Sequence, residues 1–441
     1  MERERSREGT KESRKAVRAS AGSRARIIAA ALLLAAMTAA CAEKESAYEG
    51  PFGREVSEAI PKIEAAIGLK FKRPPRVESR SKAQVREFVT RQVTEPRAAR
   101  EFAGITAAYK RLGMLPDTLD LEKFLVDLLE EQIVGYYDPK TKVLYVVDDA
   151  PKDAVGITIT HELVHALQDQ YISLDSTQQI EGQNDRQSAA QAVFEGQAVY
   201  EQISAMLGGT NVAMNLPGGW DRVRDMIRDN QSSMPVFAAA PVVIQETLIF
   251  PYLSGAEFVR NFKERDAGKP LYESIPVSTE QILHPTAYFG QRDDPTAITL
   301  PPLSGATPVY QNTLGEFETR LFLFQHLNDQ NEAVRGAAGW DGDRYVLFNA
   351  AGGQGLAWAS VWDSRVEASE FFDILDRLIR KRYDVTAASA PGSVSRSYSA
   401  SGRSLQITTQ EVGGRPVVTY VDVPVGGSTS VLDVSKLELK Q

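Results

Sequence analysis

The run His161-Glu162-Leu163-Val164-His165 sets two imidazoles four residues apart, with a carboxylate next to the first. On a helix that spacing puts both rings on one face, one turn apart, where they can reach a single zinc ion. Glu162 then lies where it can act as general base on a water at that ion. The whole chain has four histidines, so chance rarely produces this pattern in it. A catalytic zinc takes three protein ligands and keeps one position open. Glu195, in Val193-Phe-Glu-Gly-Gln-Ala198, is the candidate third ligand. On a helical wheel it shares a face with Ala192, Val199 and Met206, and a carboxylate on an apolar face is costly unless it meets a cation. A buried ion pair with Arg or Lys is the other reading. Glu201, Asp185 and Glu181 are weaker ligand candidates, on polar faces or in a loop.

A zinc hydrolase also needs a donor for the developing oxyanion. His284, just before Pro285, and Tyr288 are the candidates, in a stretch that also holds Arg292. Tyr136, Tyr137 and Tyr252 are less favoured, and a structural histidine ahead of a proline turn is the alternative for His284. His326, in Phe324-Gln-His-Leu327, reads as an ordinary helix residue.

The elements that must hold these groups read as α+β. From 54 to 133 the pattern is helical: Val56, Ile60, Ile63 and Ile67 recur at three and four, with Pro61 placed to bend or divide them. Leu121, Phe124, Leu125, Leu128 and Leu129 form a second stripe. Residues 134–148 read as a strand, a turn at Asp138-Pro-Lys-Thr141, and a strand. Pro151 opens a helix to about Tyr171, with Asp148 or Asp149 as its cap. Its apolar stripe is Val155, Ile159, Leu163 and Ala166, and both histidines lie outside it. The Glu195 helix spans about 185–207, where Gly196 and Ala198 leave room for a close helix approach. Further helices are expected at 219–230 and 246–265. Residues 286–312, rich in Pro, Thr and Asp, read as a linker or long surface loop.

The C-terminal region, 313–441, reads as α/β. It has a helix, strands near 344–349 and 356–362, a helix at 365–382, and alternating strands over 394–431 that turn at Gly413-Gly414. Gly339-Trp-Asp-Gly-Asp-Arg-Tyr345 reads as a turn, or alternatively as a substrate contact. Trp358 and Trp362 read as core or rim of the sheet, and Phe371, Ile374, Leu375 and Leu378 as helix core.

The His-Glu-x-x-His helix, followed about thirty residues on by a helix with a candidate ligating Glu, resembles the gluzincin metallopeptidases, the thermolysin-like group of the MA clan. Thr160-His-Glu-Leu-Val-His-Ala-Leu-Gln-Asp-Gln170, Glu195-Gly-Gln-Ala198 and Ser278-Thr-Glu-Gln-Ile-Leu-His-Pro285 are similar to bacterial lipoproteins of that clan. The metal motif covers 134–207, and the lipoprotein resemblance runs on to about 365. It implies a mainly helical zincin-like core with a small β-sheet over 54–285, carrying Zn2+ on His161, His165 and Glu195. It also implies that strand 143–148 is an edge strand that pairs with extended substrate. The chain departs from the pattern at Val199, where the group often has an Asp steadying a zinc histidine. Asp169, one turn past His165, is the candidate replacement.

Composition narrows the remaining classes. At 441 residues, 43% hydrophobic and 24% charged, the chain is neither a polytopic membrane protein nor collagen-like nor wholly disordered. Net charge is −8; residues 1–40 hold nine Lys/Arg against four Glu, so the rest is more acidic still. Nucleic acid is an unsuitable partner for such a chain. The single cysteine, Cys41, excludes an internal disulfide and a cysteine zinc site. Ile27 to Ala40 is an apolar run of about 21 Å as helix, short of a bilayer core of roughly 30 Å. With its basic flank it reads as a secretory signal. Ala39-Ala40-Cys41 resembles a bacterial lipobox, with Thr38 where that pattern has Leu. The expectation is a signal peptide at 1–40, a lipid on Cys41, a tether at 41–53, and an extracytoplasmic protein at the cell surface or in the periplasm. A plain signal peptide or signal anchor is the alternative. Together these readings lead to a zinc peptidase acting on peptides or proteins. A surface binding or scaffold protein that keeps the zincin fold is the runner-up, and zinc hydrolysis of a non-peptide amide is a third reading.

Overall fold

The computed structural model describes residues 48–177, 181–206, 219–265, 271–387 and 392–441. The expected signal segment, Cys41 and most of the tether lie outside them. Tyr48 and Glu49 belong to one unit of the chain, and Gly50–Gln441 forms a second, compact one. Helices of eight or more residues are numbered below.

Helix α1, Gly53–Ile67, runs unbroken through Pro61 and buries Val56, Ala59 and Ile63. Strand β1, Arg76–Arg80, interrupts what the sequence pattern suggests is all helix. Helix α2, Lys82–Thr94, opens on a reciprocal cap between Ser81 and Gln84. Helix α3, Pro96–Leu112, has Pro at its first position and the Glu95 carboxylate on its free amides. Helix α4, Leu121–Gln132, is capped by Asp120.

Strands β2, Gly135–Asp138, and β3, Val143–Val147, form the expected hairpin. The Asp138 carboxylate closes its turn by accepting from Lys140 N and Thr141 Oγ1. The sheet order is β1-β3-β2, with β1 parallel and β2 antiparallel to β3. The expectation that 143–148 is an edge strand is therefore corrected: β3 is central, and every one of its residues is buried. The polar strand Arg76-Val-Glu-Ser-Arg80 covers its other side.

Helix α5, Lys152–Gln168, carries the His-Glu-x-x-His run; Pro151 precedes it, and no side chain caps it. Asp149, an expected cap, pairs with Lys82 instead. Helices α6, Asn184–Met206, α7, Gly219–Ser232, and α8, Val242–Arg265, follow, close to the expected spans.

The 286–312 stretch is not a plain linker. It contains β4, Ala297–Thr299, and β5, Thr307–Asn312. Strand β5 edges an antiparallel six-stranded sheet in the order β5-β6-β7-β10-β9-β8, and β4 pairs with β11, Glu438–Lys440. Its other strands are β6, Trp340–Ala350, β7, Gly353–Trp362, β8, Ser395–Ala400, β9, Arg403–Val412, and β10, Arg415–Pro424. Both turn glycines between β9 and β10, Gly413 and Gly414, have positive φ, as a tight hairpin turn requires. The Gly339–Tyr345 motif, expected as a turn, is the start of β6 with a bulge between Trp340 and Gly342. Gly342, at φ 146°, lies so near Thr296 O that no side chain fits there.

Alternation sorts the sheet's two faces. Tyr345, Leu347, Trp358 and Trp362 meet Phe371, Ile374, Leu375 and Leu378 of α11, Arg365–Tyr383. Val346, Phe348, Ala357, Ala359 and Val361 form a second core with Ile298 and Leu437. The first core continues into the helical region through α9, Gly315–Leu327, and α10, Gln330–Ala337. Phe317 of α9 stacks on Phe250 of α8 at 4.0 Å between ring centroids. The fold is thus α+β with one core shared by its helical and sheet portions. Among the described residues, no helix is long and apolar enough to cross a membrane.

Candidate metal centre

Helix α5 buries Ile159, Leu163, Val164, Ala166 and Leu167. That burial fixes its rotation and turns His161 and His165 toward α6. Helix α6 comes from the other side with Glu195, and Gly196 next to it touches the α8 backbone at Gly255. The absence of a side chain at this crossing lets α8 carry Tyr252, one turn before Gly255, up to the same place.

Three donor atoms converge. His161 Nε2 and His165 Nε2 are 3.2 Å apart. Glu195 Oε2 lies 3.2 Å from the first and 3.3 Å from the second. The side chains of His161, His165 and Glu195 are 13%, 11% and 19% exposed, so the cluster is sheltered yet reachable from solvent. Together they form one of two His and carboxylate groupings among the described residues that could hold a metal ion.

The Nδ1 atoms face away from this point. His161 Nδ1 donates to Gln202 Oε1 at 3.0 Å, and His165 Nδ1 donates to Gln168 Oε1 at 2.9 Å. The Gln168 orientation is decided by its other end: Nε2 donates to Phe194 O at 3.0 Å and to Gln197 Oε1 at 3.0 Å. A carbonyl oxygen only accepts, so the Gln168 amide nitrogen must face Phe194 and its oxygen must face His165. In the neutral ring with its proton on Nδ1, Nε2 keeps its lone pair for the centre.

Glu162 points from the same helix to β2, where its Oε2 accepts from Tyr137 N at 2.8 Å. Burial raises its pKa, against the pull of His161 and His165. Burial also opposes charge on Glu195, but the two histidines outweigh it and hold that carboxylate well below the ordinary range. His165 is pulled down by burial and pushed up more strongly by Glu195, to about 9. The charge of Glu195, with burial and the charge of Glu162, pushes the Tyr252 phenol well above its usual pKa. Its ring lies 6.1 Å from that of His161, nearly parallel. Tyr252 is therefore a neutral O–H donor at the edge of the triad.

Residues 305–424 match a family model described as a domain of unknown function (DUF8575). The match covers β5 through β10 and includes none of the converging residues. No curated protein and no solved structure matches the chain.

The structure thus brings together His161, Glu162, His165 and Glu195. The other expected donors are committed elsewhere. His284 Nε2 contacts Glu316 Oε1 and Arg320, both at 2.9 Å. Tyr288 donates to Ser274 O and packs edge-on against Phe258. Neither His284 nor Tyr288 reaches the triad, whereas Tyr252, a less favoured candidate in the sequence, stands beside it. Asp169 does not steady His165 either; it accepts from Tyr137 Oη at 2.8 Å and Lys142 Nζ at 2.6 Å, tying the hairpin to the end of α5. Among the weaker ligand candidates, Glu201 pairs with Lys263, Asp185 accepts from Thr279, and Glu181 pairs with Arg97. Gln168 and Gln202 were legible in principle: one stands three residues after His165, the other seven after Glu195, and both spacings share the ligand's helix face.

Proposed function

We propose that the chain is a zinc-dependent peptidase, and the observation that carries this reading is the convergence of two Nε2 atoms and one carboxylate oxygen. Zinc bonds to nitrogen and oxygen of about 2.05 Å in a tetrahedron require donors roughly 3.3 Å apart. The three separations in this chain, 3.2, 3.2 and 3.3 Å, agree with that requirement. Two imidazoles and one carboxylate are also a borderline donor set that suits zinc better than calcium or magnesium. When bound, zinc supplies Lewis acidity, which eases proton loss from water and polarises a carbonyl.

The remaining work falls to the chain's own groups. Glu162 takes the proton of the attacking water and delivers it to the leaving amine. The Tyr137 amide fixes its carboxylate while leaving the second oxygen to act. Tyr252 donates to the oxyanion as the carbonyl becomes tetrahedral. The site's place on the cell surface or in the periplasm, through a lipid on Cys41, belongs to the same proposal.

The test is metal content and hydrolysis of a mixed peptide library by wild type and Glu162→Gln. Wild type should hold about one zinc per chain and cleave peptides. The variant should keep the zinc and lose turnover by about 10²–10⁴-fold. Unchanged hydrolysis in the variant would sink the mechanism. A full zinc complement with no cleavage in wild type would turn the reading toward a binding or scaffold protein.

A further inference from the structure

A second group of carboxylates lies where the helical portion meets the six-stranded sheet. Glu280, Asp293 and Asp363 bring one oxygen each within 4.8 Å of one another. They come from three separate segments. Glu280 stands on the single turn Thr279–Leu283. Asp293 lies in the loop before β4, held to that turn by Gln281 Nε2, which donates to Asp293 O at 2.6 Å and to Asp294 Oδ1 at 2.9 Å. Asp363 follows β7 directly, its amide tied to Gly339 O at 2.9 Å.

The nearby acids with cations are accounted for. Arg415 pairs with Asp341, Arg320 with Glu316, and Arg292 with Asp294. Among the described residues no hydrogen bond or ion pair is made to the carboxylates of Glu280, Asp293 or Asp363, and the nearest cation felt by the group is Arg415, which acts on Asp363 at a distance. Glu280 is the telling member. It is 6% exposed, aims its carboxylate into the group, and has no partner there but other acids. Glu316, fully buried behind it, leaves Oε2 without any hydrogen bond. A buried carboxylate without a counter-charge costs several kcal/mol, roughly, and the neighbouring charges of half-buried Asp293 and exposed Asp363 add to the cost at Glu280. Two remedies exist: a proton on Glu280, or a cation between the three. Burial and the charges of Glu316, Asp293, Asp363 and Asp341 push Glu280 up to about 10.

We propose that Glu280, Asp293 and Asp363 form a calcium site. All the donors are hard oxygens, and three carboxylates supply three to six of the roughly six to eight that Ca2+ takes, with water completing the shell. Asp363 is exposed, which gives the ion a way in. Bound there, calcium staples the 284–296 loop and the end of β7 to the helical portion. It is separate from the zinc reading, shares no residue with it, and stands or fails alone.

The test uses the purified full chain with CaCl2 as probe, read by equilibrium dialysis of labelled calcium and by melting temperature. Wild type should bind one Ca2+ saturably and melt higher as calcium rises. Asp363→Asn, in an exposed turn, should weaken binding tenfold or more, and Glu280→Gln should abolish both the binding and the shift. Neither variant should lower the melting temperature in calcium-free buffer. Absence of binding in wild type at about 10 mM CaCl2, ten times the weakest extracellular sites, would overturn the proposal. So would equal binding by wild type and both variants, which would place the ion elsewhere. A calcium-free protein in which Glu280→Gln changes nothing but raises stability would assign the proton instead.

Discussion

Gly196 of α6 and Gly255 of α8 touch backbone to backbone. A Cβ on Gly196 would fall 2.1 Å from the Gly255 carbonyl carbon, and one on Gly255 would fall 2.0 Å from Ala192 O. Neither obstacle is a side chain that can swing away. This contact seats Glu195 and Tyr252 beside one another, since each lies within one turn of it.

Alanine at either glycine should therefore separate the two helices. Overpacking of this kind costs about 1–3 kcal/mol, and Gly196→Ala should lose metal affinity as well as stability. Urea denaturation and metal content, measured on the same samples, check both. A variant as stable as wild type would mean the helices are less closely held than described.

Gln202→Leu should lower zinc affinity by about 10–100-fold, because His161 loses the acceptor that fixes its ring. Gln168→Leu should do the same to His165 and also remove the buried bonds that Gln168 Nε2 makes to Phe194 O and Gln197 Oε1, a further cost of about 1–3 kcal/mol. Competition with a zinc chelator separates these variants: both weaken binding, but only the second lowers the melting temperature of the metal-free protein markedly.

Tyr252→Phe should retain metal and fold while kcat drops by about 10²–10³-fold, with KM little changed. His284→Ala and Tyr288→Phe should leave kcat within a few-fold, roughly, because both side chains are bonded away from the triad. If the order were reversed, the oxyanion donor would be in the His284 stretch after all.

His326 offers a pH test remote from the metal centre. Burial lowers its pKa from 6.5 to about 4, and neutral Nε2–H donates to Leu112 O at 2.8 Å. A folded pKa below the unfolded one means protons favour the unfolded chain. The stabilisation is present above about 6.5 and is lost as pH falls toward 4. The stability advantage of wild type over His326→Gln should shrink between pH 7 and pH 4.5 in denaturant titrations. A constant gap would show that His326 binds protons equally in the folded and unfolded chain, so that burial does not shift it.

The convergence of His161, His165 and Glu195 was readable because its signal is local. Four-residue spacing on one helix fixes His161 against His165, and Glu195 betrays itself as a carboxylate on an apolar stripe. The hairpin at 134–148 and the helices around it were readable from the same short-range periodicity. What failed was long-range. Strand β1 is five residues with a single buried position, Val77, so alternation gave no warning. Without it, β3 looks like an edge. Tyr252 sits next to Pro251 in an apolar run, and only the Gly196–Gly255 crossing shows why it belongs to the site. His284 drew attention for its rarity in the chain, yet its buried partner Glu316 lies 32 residues further on. The strands at 297–299 and 307–312 were lost in a proline-rich composition because edge strands tolerate such residues.

Strand β1 pairs with β3 along its whole length, from Arg76↔Val143 to Arg80↔Val147. The residues before it are fastened too: Lys72 N and Arg73 N bond Gln170 Oε1, Tyr171 Oη bonds Lys70 O, and Lys263 Nζ bonds Ala66 O. A removable inhibitory leader is laid over a cleft and can be peeled off; this segment is instead a strand of the sheet that carries the Tyr137 amide. Cutting it away would expose the flank of β3 and loosen the end of α5. Any proteolytic trimming that keeps the sheet intact must therefore spare residues 66–80, which the bonds to Gln170, Tyr171 and Lys263 make part of the folded body.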